Sequence, residues 1–280
     1  MAVRARIWGC RGSLPTPGAR TVRYGGNTAC VEVAAGVGRL VLDAGTGIKA
    51  LGATLSAEEP IHVLLTHLHL DHVEGLRFFA PLWDPRCELH VWGPPSPLFP
   101  LRERIARAFS PPLFPLELTD SPAHVTFHDV PREPWELGEI TIAAQPVSHP
   151  GPTLGFRLEA GGRALAYIPD HEPVLGLELG ALEPEWISGY ALAAGADLLL
   201  HDCQLTEAEY PTRVGWGHSS VAHAVALAQR AEVGRLVLFH HDPDRGDDEV
   251  ELLGARAREL WGGGRGEPPL AAYEGMTIEL

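Results

Sequence analysis

Short apolar runs that end at glycine, proline or polar residues dominate the chain and predict β-strands. Longer segments with apolar residues at helical spacing alternate with these runs and predict helices. The strand pattern covers residues 3–8, 29–34, 38–43, 61–66, 88–92, 124–130, 139–147, 153–160, 163–168, 196–201, 235–240 and 270–279. The helical pattern covers residues 46–57, 71–83, 100–109, 183–194, 219–233 and 247–261.

The order of these elements in the second half of the chain repeats their order in the first half. No change in composition and no low-complexity linker separates the halves. We therefore predict one α/β domain over residues 1–280, made of two similar halves. Two sheets packed face to face with helices outside, a four-layer αββα sandwich, fit this pattern. The proline-rich stretch 94–122 is interpreted as an insertion or a lid.

The composition is that of a chain able to bury a sizeable core, because 45% of its residues are apolar and 21% are charged. The 22 basic and 36 acidic residues give a formal charge of -14, which argues against a general electrostatic grip on nucleic acids or anionic membranes. No run of 18 apolar residues occurs and no signal-peptide pattern is present, so no membrane partner is expected. The cysteines form no C-x-x-C pair, which favours a reducing cytoplasm; they are Cys10, Cys30, Cys87 and Cys203.

One segment concentrates side chains that bind metals. Residues 61–72, IHVLLTHLHLDH, run from an apolar strand into His67, His69, Asp71 and His72. His67 and His69 are two positions apart on an extended loop and project to the same side, while the other two begin the next helix and can turn toward a second ion. Imidazole and carboxylate without thiolate suit Zn²⁺, Mn²⁺ or Fe²⁺ in a catalytic site, and one ion would not need so many ligands.

Three further candidate ligands follow predicted strands elsewhere in the chain. His149 comes after EITIAAQPVS, Asp170 after RALAYIP, and His240 after RLVLF. Loops at strand ends are where a rigid scaffold usually presents functional groups. Taken alone, each of the three is more simply a solvated or core polar residue, but the H-x-H-x-D-H motif beside them favours a shared site.

With these motifs, the chain resembles the metallo-β-lactamase-fold hydrolases, and within them the ribonuclease Z-like phosphodiesterase branch. The resemblance runs from about Ile7 to Leu280, and its central motif is THLHLDH. It implies two divalent metal ions, zinc or manganese. It also implies that His67, His69 and His149 hold the first ion, that Asp71, His72 and His240 hold the second, and that Asp170 bridges both.

The resemblance extends to residues around the metals. Asp43, in VLDAGTG, looks like the family's strand-end aspartate that orients the site from behind the ligands. LLLHDC and GHSSVAHA resemble the segments that carry a proton relay in this branch, so Asp202 and His218 would form it, with aspartate in place of the usual glutamate. Ser219 and Ser220 at the following helix start, together with His218 and Arg11, would contact the substrate phosphoryl group.

The remaining histidines carry weaker expectations. His62, His90, His124 and His128 lie in or beside ordinary strand patterns and are expected to face solvent. His223 is expected on a helix surface. His171, His201 and His241 adjoin proposed site residues, and for these a supporting role and no role are both open. The register of LVLFH favours His240 over His241 as the ligand, which leaves His241 as a candidate supporting residue.

The function that follows from the resemblance is a dinuclear metal-dependent hydrolase, a phosphodiesterase for small or cyclic phosphodiesters. A hydroxide that bridges the ions would attack phosphorus, with Asp71 orienting it and His218, oriented by Asp202, assisting the leaving group. We do not expect long nucleic acid to be a substrate, because the segment between His149 and Asp170 is too short to contain the arm with which ribonuclease Z binds RNA.

Three alternatives stay open at this point. The same metal scaffold serves lactone and thioester hydrolases, which would not require the Asp202 and His218 pair. A ribonuclease Z-like endonuclease that processes RNA 3′ ends is the second alternative, and a non-catalytic metal-binding protein is the third. The sequence also leaves the oligomeric state open, a homodimer included.

Overall fold

A computed structural model of the chain describes residues 3–35, 39–264 and 266–280. Fourteen strands lie in this part of the chain: β1 Arg4–Gly9, β2 Cys30–Ala34, β3 Arg39–Leu42, β4 Ile61–Leu64, β5 Glu88–Gly93, β6 His124–Asp129, β7 Trp135–Leu137, β8 Ile140–Pro146, β9 Leu154–Ala160, β10 Arg163–Ile168, β11 Leu198–Asp202, β12 Arg235–Phe239, β13 Glu267–Ala271 and β14 Thr277–Glu279. The α-helices there are α1 Ile48–Gly52, α2 Leu70–Val73, α3 Leu101–Ala106, α4 Tyr190–Ala193, α5 Val221–Arg230 and α6 Asp247–Trp261. Short 3₁₀ helices cover Ala19–Thr21, Glu74–Phe78, Ala80–Trp83, Leu118–Asp120, Leu179–Ala181, Pro184–Trp186 and Tyr210–Thr212.

The strands form two seven-stranded sheets with matching plans. The first sheet has the order β14-β1-β2-β3-β4-β5-β6, and the second has the order β13-β12-β11-β10-β9-β8-β7. In each sheet four neighbouring strands are parallel, β3 to β6 in the first and β10 to β13 in the second. The other pairings are antiparallel. The prediction of two similar halves is confirmed.

The layers follow from which faces are apolar. Ile7, Leu42, Phe156 and Leu165 belong to a core that lies between the sheets. A second core covers the outer face of the first sheet with side chains of α1 and α3, and a third covers the second sheet with α4, α5 and α6. Strand β11, LLLHD, is buried at every position, as expected for a parallel strand covered on both faces. The predicted four-layer αββα sandwich is therefore confirmed.

Several predicted helices are shorter in the structure. The helix predicted over 46–57 covers Ile48–Gly52, where Thr54 Oγ1 donates to the Leu51 carbonyl at 2.8 Å and caps the end. The helix predicted over 71–83 breaks into α2 and two 3₁₀ turns, because Gly75 N donates to Ala44 O at 3.0 Å and Phe79 is extended. The helix predicted over 183–194 begins only after Gly189, whose φ is 73°.

Two strand predictions also differ from the structure. The last predicted strand, 270–279, is two strands, since Gly275 (φ 90°) turns the chain back to the first sheet. Strand β7 was not predicted, because a three-residue edge strand carries almost no alternation. The strand predicted over 38–43 begins at Gly38, which lies outside the described residues, and continues as β3.

The 94–122 stretch is anchored on the first sheet. Leu101, Ile105, Phe109 and Leu118 are buried in the core of its outer face. Part of this stretch is thus the helical layer itself. No helix among the residues described is both long and apolar enough to span a bilayer.

Candidate metal centre and active site

The predicted site residues meet at one edge of the two sheets. Asp43 follows β3, His67 follows β4, Asp170 follows β10, Asp202 ends β11, and His240 follows β12. Because these strands run parallel within each sheet, their carboxyl ends lie at the same edge and their loops meet there. Sequence segments almost two hundred residues apart are brought together in this way.

The first three candidate ligands form one group. Ligand atoms of His67, His69 and His149 lie within 4.8 Å of one another. His149 Nε2 is 3.3 Å from His69 Nδ1. His67 is buried, whereas His69 is exposed at the mouth of the site. Three imidazoles in such an arrangement could hold one divalent ion with a position left open.

Asp71, His72 and His240 form the second group, with ligand atoms within 4.8 Å of one another. Asp71 Oδ2 is 3.3 Å from His72 Nε2 and 3.3 Å from His240 Nε2. Asp170 lies between the two groups. Its carboxylate oxygens are 3.0 Å from His72 Nε2, 3.2 Å from His240 Nε2, 3.9 Å from His67 Nε2 and 3.8 Å from His149 Nε2.

Hydrogen bonds behind the imidazoles fix which nitrogen faces the centre. His149 Nδ1 donates to the Gly217 carbonyl at 2.9 Å, and His72 Nδ1 donates to Asp43 Oδ2 at 2.9 Å. Thr66 Oγ1 donates to Asp43 and lies 3.1 Å from His67 Nδ1, from which it can accept. Each Nε2 therefore points to the centre, which is the orientation a metal-binding histidine requires.

Asp43 sits behind both groups in a backbone conformation unusual for aspartate. Its φ is 60°, and that of His240 is 59°; each departure costs on the order of 1–3 kcal/mol and is found mainly at functional sites. The Asp43 carboxylate accepts hydrogen bonds from Thr66 N, His72 Nδ1 and the Tyr167 hydroxyl, all between 2.8 and 2.9 Å. These contacts offset the strain and hold two imidazoles at once. Tyr167 and Thr66 were not identified from the sequence.

The pKa directions divide the histidines into two kinds. Burial lowers the pKa of His67 well below its usual value, and burial also lowers the pKa values of His69 and His149. Burial opposes protonation of His72 as well, but the carboxylates of Asp170, Asp71 and Asp43 raise its pKa well above the usual value. The carboxylates around His72 therefore stabilise positive charge at this position.

The donor set fits divalent metal ions. Three aspartates, Asp43, Asp71 and Asp170, are at most 5% exposed, and no lysine or arginine forms an ion pair with them in the described part of the chain. Buried charge without a counter-charge costs several kcal/mol. His67 Nε2, His72 Nε2 and Asp170 Oδ2 are buried without a hydrogen-bond partner although they lie close together. Buried nitrogen and oxygen atoms that lie close together without hydrogen-bond partners are an arrangement that a cation completes.

Asp202 and His218 form a hydrogen-bonded pair beside this centre. His218 Nδ1 donates to Asp202 Oδ2 at 2.7 Å, so aspartate reaches the histidine despite its shorter side chain. Asp202 also accepts from the main-chain nitrogens of Gln204 and Ser219, at 3.0 and 2.9 Å. Burial favours neutral His218, but Asp202 outweighs it and raises the pKa of His218 to about 9. The His218 ring stacks on His240, with centroids 5.1 Å apart.

Glu172 is a buried residue that the sequence analysis missed. Its carboxylate accepts from the Tyr210 hydroxyl at 2.8 Å and from the main-chain nitrogens of Gly215 and Gly217, each at 3.0 Å or less. Gly217 in turn orients His149 and precedes His218. Glu172 therefore fixes the loop that presents two site histidines. Its place two residues after Asp170 was the only available signal.

Two positions near the site require glycine, because the backbone there passes too close to a site histidine to leave room for a Cβ. A Cβ on Gly12 would lie 2.4 Å from the His240 ring, and one on Gly217, whose φ is 84°, would lie 2.4 Å from His149 Nδ1. The loop with Gly12 also reaches the second group, because Ser13 N donates to Asp71 Oδ2 at 2.7 Å. The N-terminal glycine-rich loop is thus part of the site's wall.

The predicted substrate contact of Arg11 is wrong. Arg11 is fully buried, and its guanidinium donates to the carbonyls of Gly25, Asp242 and Arg245 at 2.8, 3.3 and 2.7 Å. The side chain ties three loops together beneath the site and cannot reach a substrate from there. Sequence proximity to a glycine-rich loop did not indicate which way the side chain points.

The predicted substrate contacts of Ser219 and Ser220 are also wrong. Ser219 Oγ donates to the His171 carbonyl at 2.6 Å, and Ser220 Oγ accepts from His223 N at 3.2 Å as the N-cap of α5. Both residues are buried. The main chain just before this helix binds a carboxylate of the protein itself, because Ser219 N donates to Asp202.

His241 does not support the centre. Its Nε2 donates to the Ala272 carbonyl at 2.9 Å, and burial lowers its pKa to about 3. His240, not His241, reaches the second group. His171 and His201 do stand behind the relay: His171 N donates to Asp202 Oδ2 at 3.3 Å, and His171 Nδ1 is 2.8 Å from His201 Nε2.

The histidines expected to face solvent are of two kinds. His124 is exposed, as predicted. His62, His90 and His128 are half-buried on the inner face of the first sheet, where Trp92 stacks on His128 with ring centroids 4.0 Å apart. The prediction is wrong for these three, because a sheet that faces another sheet buries its inner side even near the end of the strands. His223 is half-buried against Tyr210.

Comparison with known proteins places this geometry in a family. The model of the Beta-lactamase superfamily domain matches residues 38–241. The chain belongs to this superfamily. It is also 30% identical over 255 residues to the ribonuclease Z of Mycobacterium bovis (strain BCG / Pasteur 1173P2), a match that covers 82% of this chain and 85% of that protein.

Solved structures of the superfamily share the fold over the whole chain. The metallo-β-lactamase fold protein YhfI from Bacillus subtilis superposes with a TM-score of 0.74 at 19% identity and covers 100% of this chain and 99% of its own. A diphosphatase of the PhnP family gives a TM-score of 0.69 at 17% identity, covering 100% and 98%. This member of the superfamily is accordingly a metallo-β-lactamase-fold hydrolase, similar to ribonuclease Z.

Proposed function

We propose that the protein is a dinuclear metal-dependent phosphodiesterase that acts on small or cyclic phosphodiesters. His67, His69 and His149 would hold one ion, Asp71, His72 and His240 the other, and Asp170 would bridge them. Zinc and manganese both suit imidazole and carboxylate ligands. Two bound ions would supply hydroxide at neutral pH and neutralise charge on the phosphoryl oxygens.

The Asp202 and His218 pair carries the proposal. At 2.7 Å from Asp202 Oδ2, His218 Nδ1 is held by a charge-assisted hydrogen bond, which leaves Nε2 free to give a proton to the leaving oxygen. Expelling an alkoxide from phosphorus needs such a proton, because the alkoxide is a poor leaving group. Asp202, with four hydrogen bonds, keeps the imidazole oriented as the proton moves.

The proposal of a small substrate rests on the net charge of the chain and on the short hairpin between His149 and Asp170, where the arm with which ribonuclease Z binds RNA would be expected. Between His149 and Asp170 the chain contains β9 and β10 joined by the turn at Gly161 and Gly162, with no protruding segment. A surface that grips several phosphates needs clustered Lys and Arg, whereas this chain has a formal charge of -14. A small diester needs only the metal centre and His218.

The cellular location proposed is the cytoplasm. All four cysteines are free and buried, which suits a reducing compartment. Their pKa values are all raised by burial, so none has the thiolate character of a reactive cysteine.

A substrate panel tests the function. Protein loaded with Mn²⁺ or Zn²⁺ should hydrolyse bis(4-nitrophenyl) phosphate or a cyclic nucleotide with weak salt dependence, and Asp170→Asn protein prepared in parallel should not. Lactone or thioester turnover without phosphodiester turnover would favour the carbonyl hydrolases. Efficient cleavage of precursor transfer RNA that weakens steeply with salt would favour the activity named for ribonuclease Z.

A further inference from the structure

A small cavity opens beside the metal centre on the side of His69. It has a volume of about 220 Å³ and is bounded by Leu68, Pro94, Pro150 and Pro152, with Arg104 of α3 at its wall. His67 and His69 line its inner end. A group that enters this cavity therefore lies directly against the first set of candidate ligands.

The volume and the lining of the cavity suit a single ring. Three prolines and a leucine give rigid, apolar walls that cannot hydrogen-bond through their side chains. Sites that enclose whole drug-sized ligands measure about 300–1,000 Å³, so a cavity of about 220 Å³ accommodates one substituent of a larger ligand. An aromatic ring fits this description, and a folded polynucleotide does not.

Arg104 places a positive charge at the cavity wall, and its Nε donor has no hydrogen-bond partner within the protein. Its side chain is only 13% exposed, Nη2 donates to the Pro94 carbonyl at 2.7 Å, and the nearest carboxylate, of Asp129, is 3.7 Å away. Nε is buried without a hydrogen-bond partner. A half-buried guanidinium with free donors next to an apolar cavity is suited to an anionic acceptor on the ring.

His149 contacts both His69, which lines the cavity, and His218. His149 Nε2 contacts His69 Nδ1 at 3.3 Å, toward the cavity, and the His149 ring also contacts the His218 ring, with centroids 5.2 Å apart. A diester bound with its leaving oxygen at His218 would direct its other substituent toward the cavity.

We infer that this cavity is the binding site for the retained substituent of the substrate, a single aromatic ring that bears a carboxylate or similar acceptor held by Arg104. The inference rests on the proposed phosphodiesterase function and narrows its substrate class. Arg104 would set specificity without contacting the reacting atoms.

Three phosphodiesters with the same leaving group separate the contribution of the ring from that of its carboxylate. Methyl, phenyl and 4-carboxyphenyl 4-nitrophenyl phosphates all release 4-nitrophenolate, so differences in kcat/KM report on the other substituent. We expect kcat/KM to rise about tenfold from methyl to phenyl through ring burial, and roughly tenfold or more again for 4-carboxyphenyl through a charge-assisted hydrogen bond.

Variants assign these differences to the cavity. Arg104→Met should remove the preference for the carboxylate, measured as the ratio of kcat/KM for the 4-carboxyphenyl ester to kcat/KM for the phenyl ester. Arg102→Met, an exposed arginine on the same helix, serves as the matched control and should change none of the three. Ser96→Phe fills the cavity without altering Arg104 and should lower turnover of both aromatic esters to the level of the methyl ester.

Binding gives a readout that does not depend on turnover. By calorimetry, 4-carboxyphenyl phosphate should bind the wild-type protein at least about tenfold more tightly than phenyl phosphate, and Arg104→Met should abolish the difference. Equal turnover of the three esters, or a carboxylate preference that survives both Arg104→Met and Ser96→Phe, overturns the inference. Binding that depends on Arg104 without hydrolysis of any ester keeps the cavity site and overturns the phosphodiesterase reaction instead.

Discussion

Two clusters of histidines in the described part of the chain differ in their arrangement, and the first of them is arranged like a metal centre. In the first, five imidazoles surround Asp71 and Asp170 at the carboxyl ends of the parallel strands; they belong to His67, His69, His72, His149 and His240. In the second, His62, His90 and His128 lie on the inner face of the first sheet and stack on one another and on Trp92. Both clusters are dense, so density does not distinguish them.

The difference lies in what the ring nitrogens face. In the second cluster His90 Nδ1 lies 3.0 Å from His128 Nε2, and Trp92 Nε1 donates to His62 Nδ1 at 3.3 Å, so the nitrogens satisfy one another. Burial and the neighbouring His90 lower the pKa of His62 to about 4, and burial lowers that of His128. In the first cluster the Nε2 atoms instead converge on carboxylates. The buried carboxylates therefore distinguish the candidate metal centre from the second cluster.

The largest effect is expected from Asp170→Asn, which removes the carboxylate that both ligand groups share. Asparagine has the same shape but half the acceptors and no charge, so the protein should lose at least one of two bound ions and roughly 10³-fold in kcat. Elemental analysis after dialysis and an assay with bis(4-nitrophenyl) phosphate measure this. Glu88→Gln removes the carboxylate beside the second cluster, 3.1 Å from His90 Nε2, and should change neither quantity.

A loss of activity without loss of metal is expected from His218→Ala. If His218 moves a proton and is not a ligand, kcat should fall about 10²- to 10⁴-fold while two ions remain bound. His124→Ala, at an exposed histidine of β6 in the first sheet, serves as control. Unchanged turnover, or the loss of an ion, would show that the relay is misassigned.

A more moderate loss is expected from Glu172→Gln. The amide offers one acceptor and introduces donors toward the main-chain nitrogens of Gly215 and Gly217, so the loop carrying His218 should shift and kcat should fall about tenfold. Tyr210→Phe deletes only the hydroxyl that reaches Glu172 and should cost much less. Assays at saturating metal and well below the melting temperature of each variant distinguish a shifted loop from an unfolded protein. Equal kcat values for the two variants would contradict the positioning role of Glu172.

The smallest effect concerns the second cluster and the pH dependence of stability. His62 has a pKa of about 4 in the folded protein against 6.5 for an ordinary histidine, so between these values the unfolded chain binds more protons. Protonation then favours unfolding, and the free energy of unfolding should decrease as the pH falls from about 6.5 toward 4. His62→Gln keeps an acceptor for Trp92 but cannot titrate, so urea unfolding should show a shallower decrease. Parallel curves for the two proteins would contradict this.

The contiguous part of the site could be predicted because its ligands are neighbours in sequence. THLHLDH places four ligand-type side chains within six positions, so the local backbone alone keeps them close together. The long helix α6, with Asp247, Asp248 and Glu249 in its first turn, was likewise predicted with the bounds that the structure shows. Short helices such as α1 and α2 were overpredicted, since tertiary hydrogen bonds such as Gly75 N to Ala44 O decide where they end.

By itself the sequence determined the two halves, the layers and most strands, because apolar periodicity reports which face of an element is buried. It also determined which types of candidate metal ligand are present, because these depend on residue chemistry. Only the tertiary structure decided which way isolated side chains point. Arg11 and Ser219 turn to main-chain carbonyls, and Glu172 turns to main-chain nitrogens, because a buried polar group must take the partner that the packed chain brings within reach.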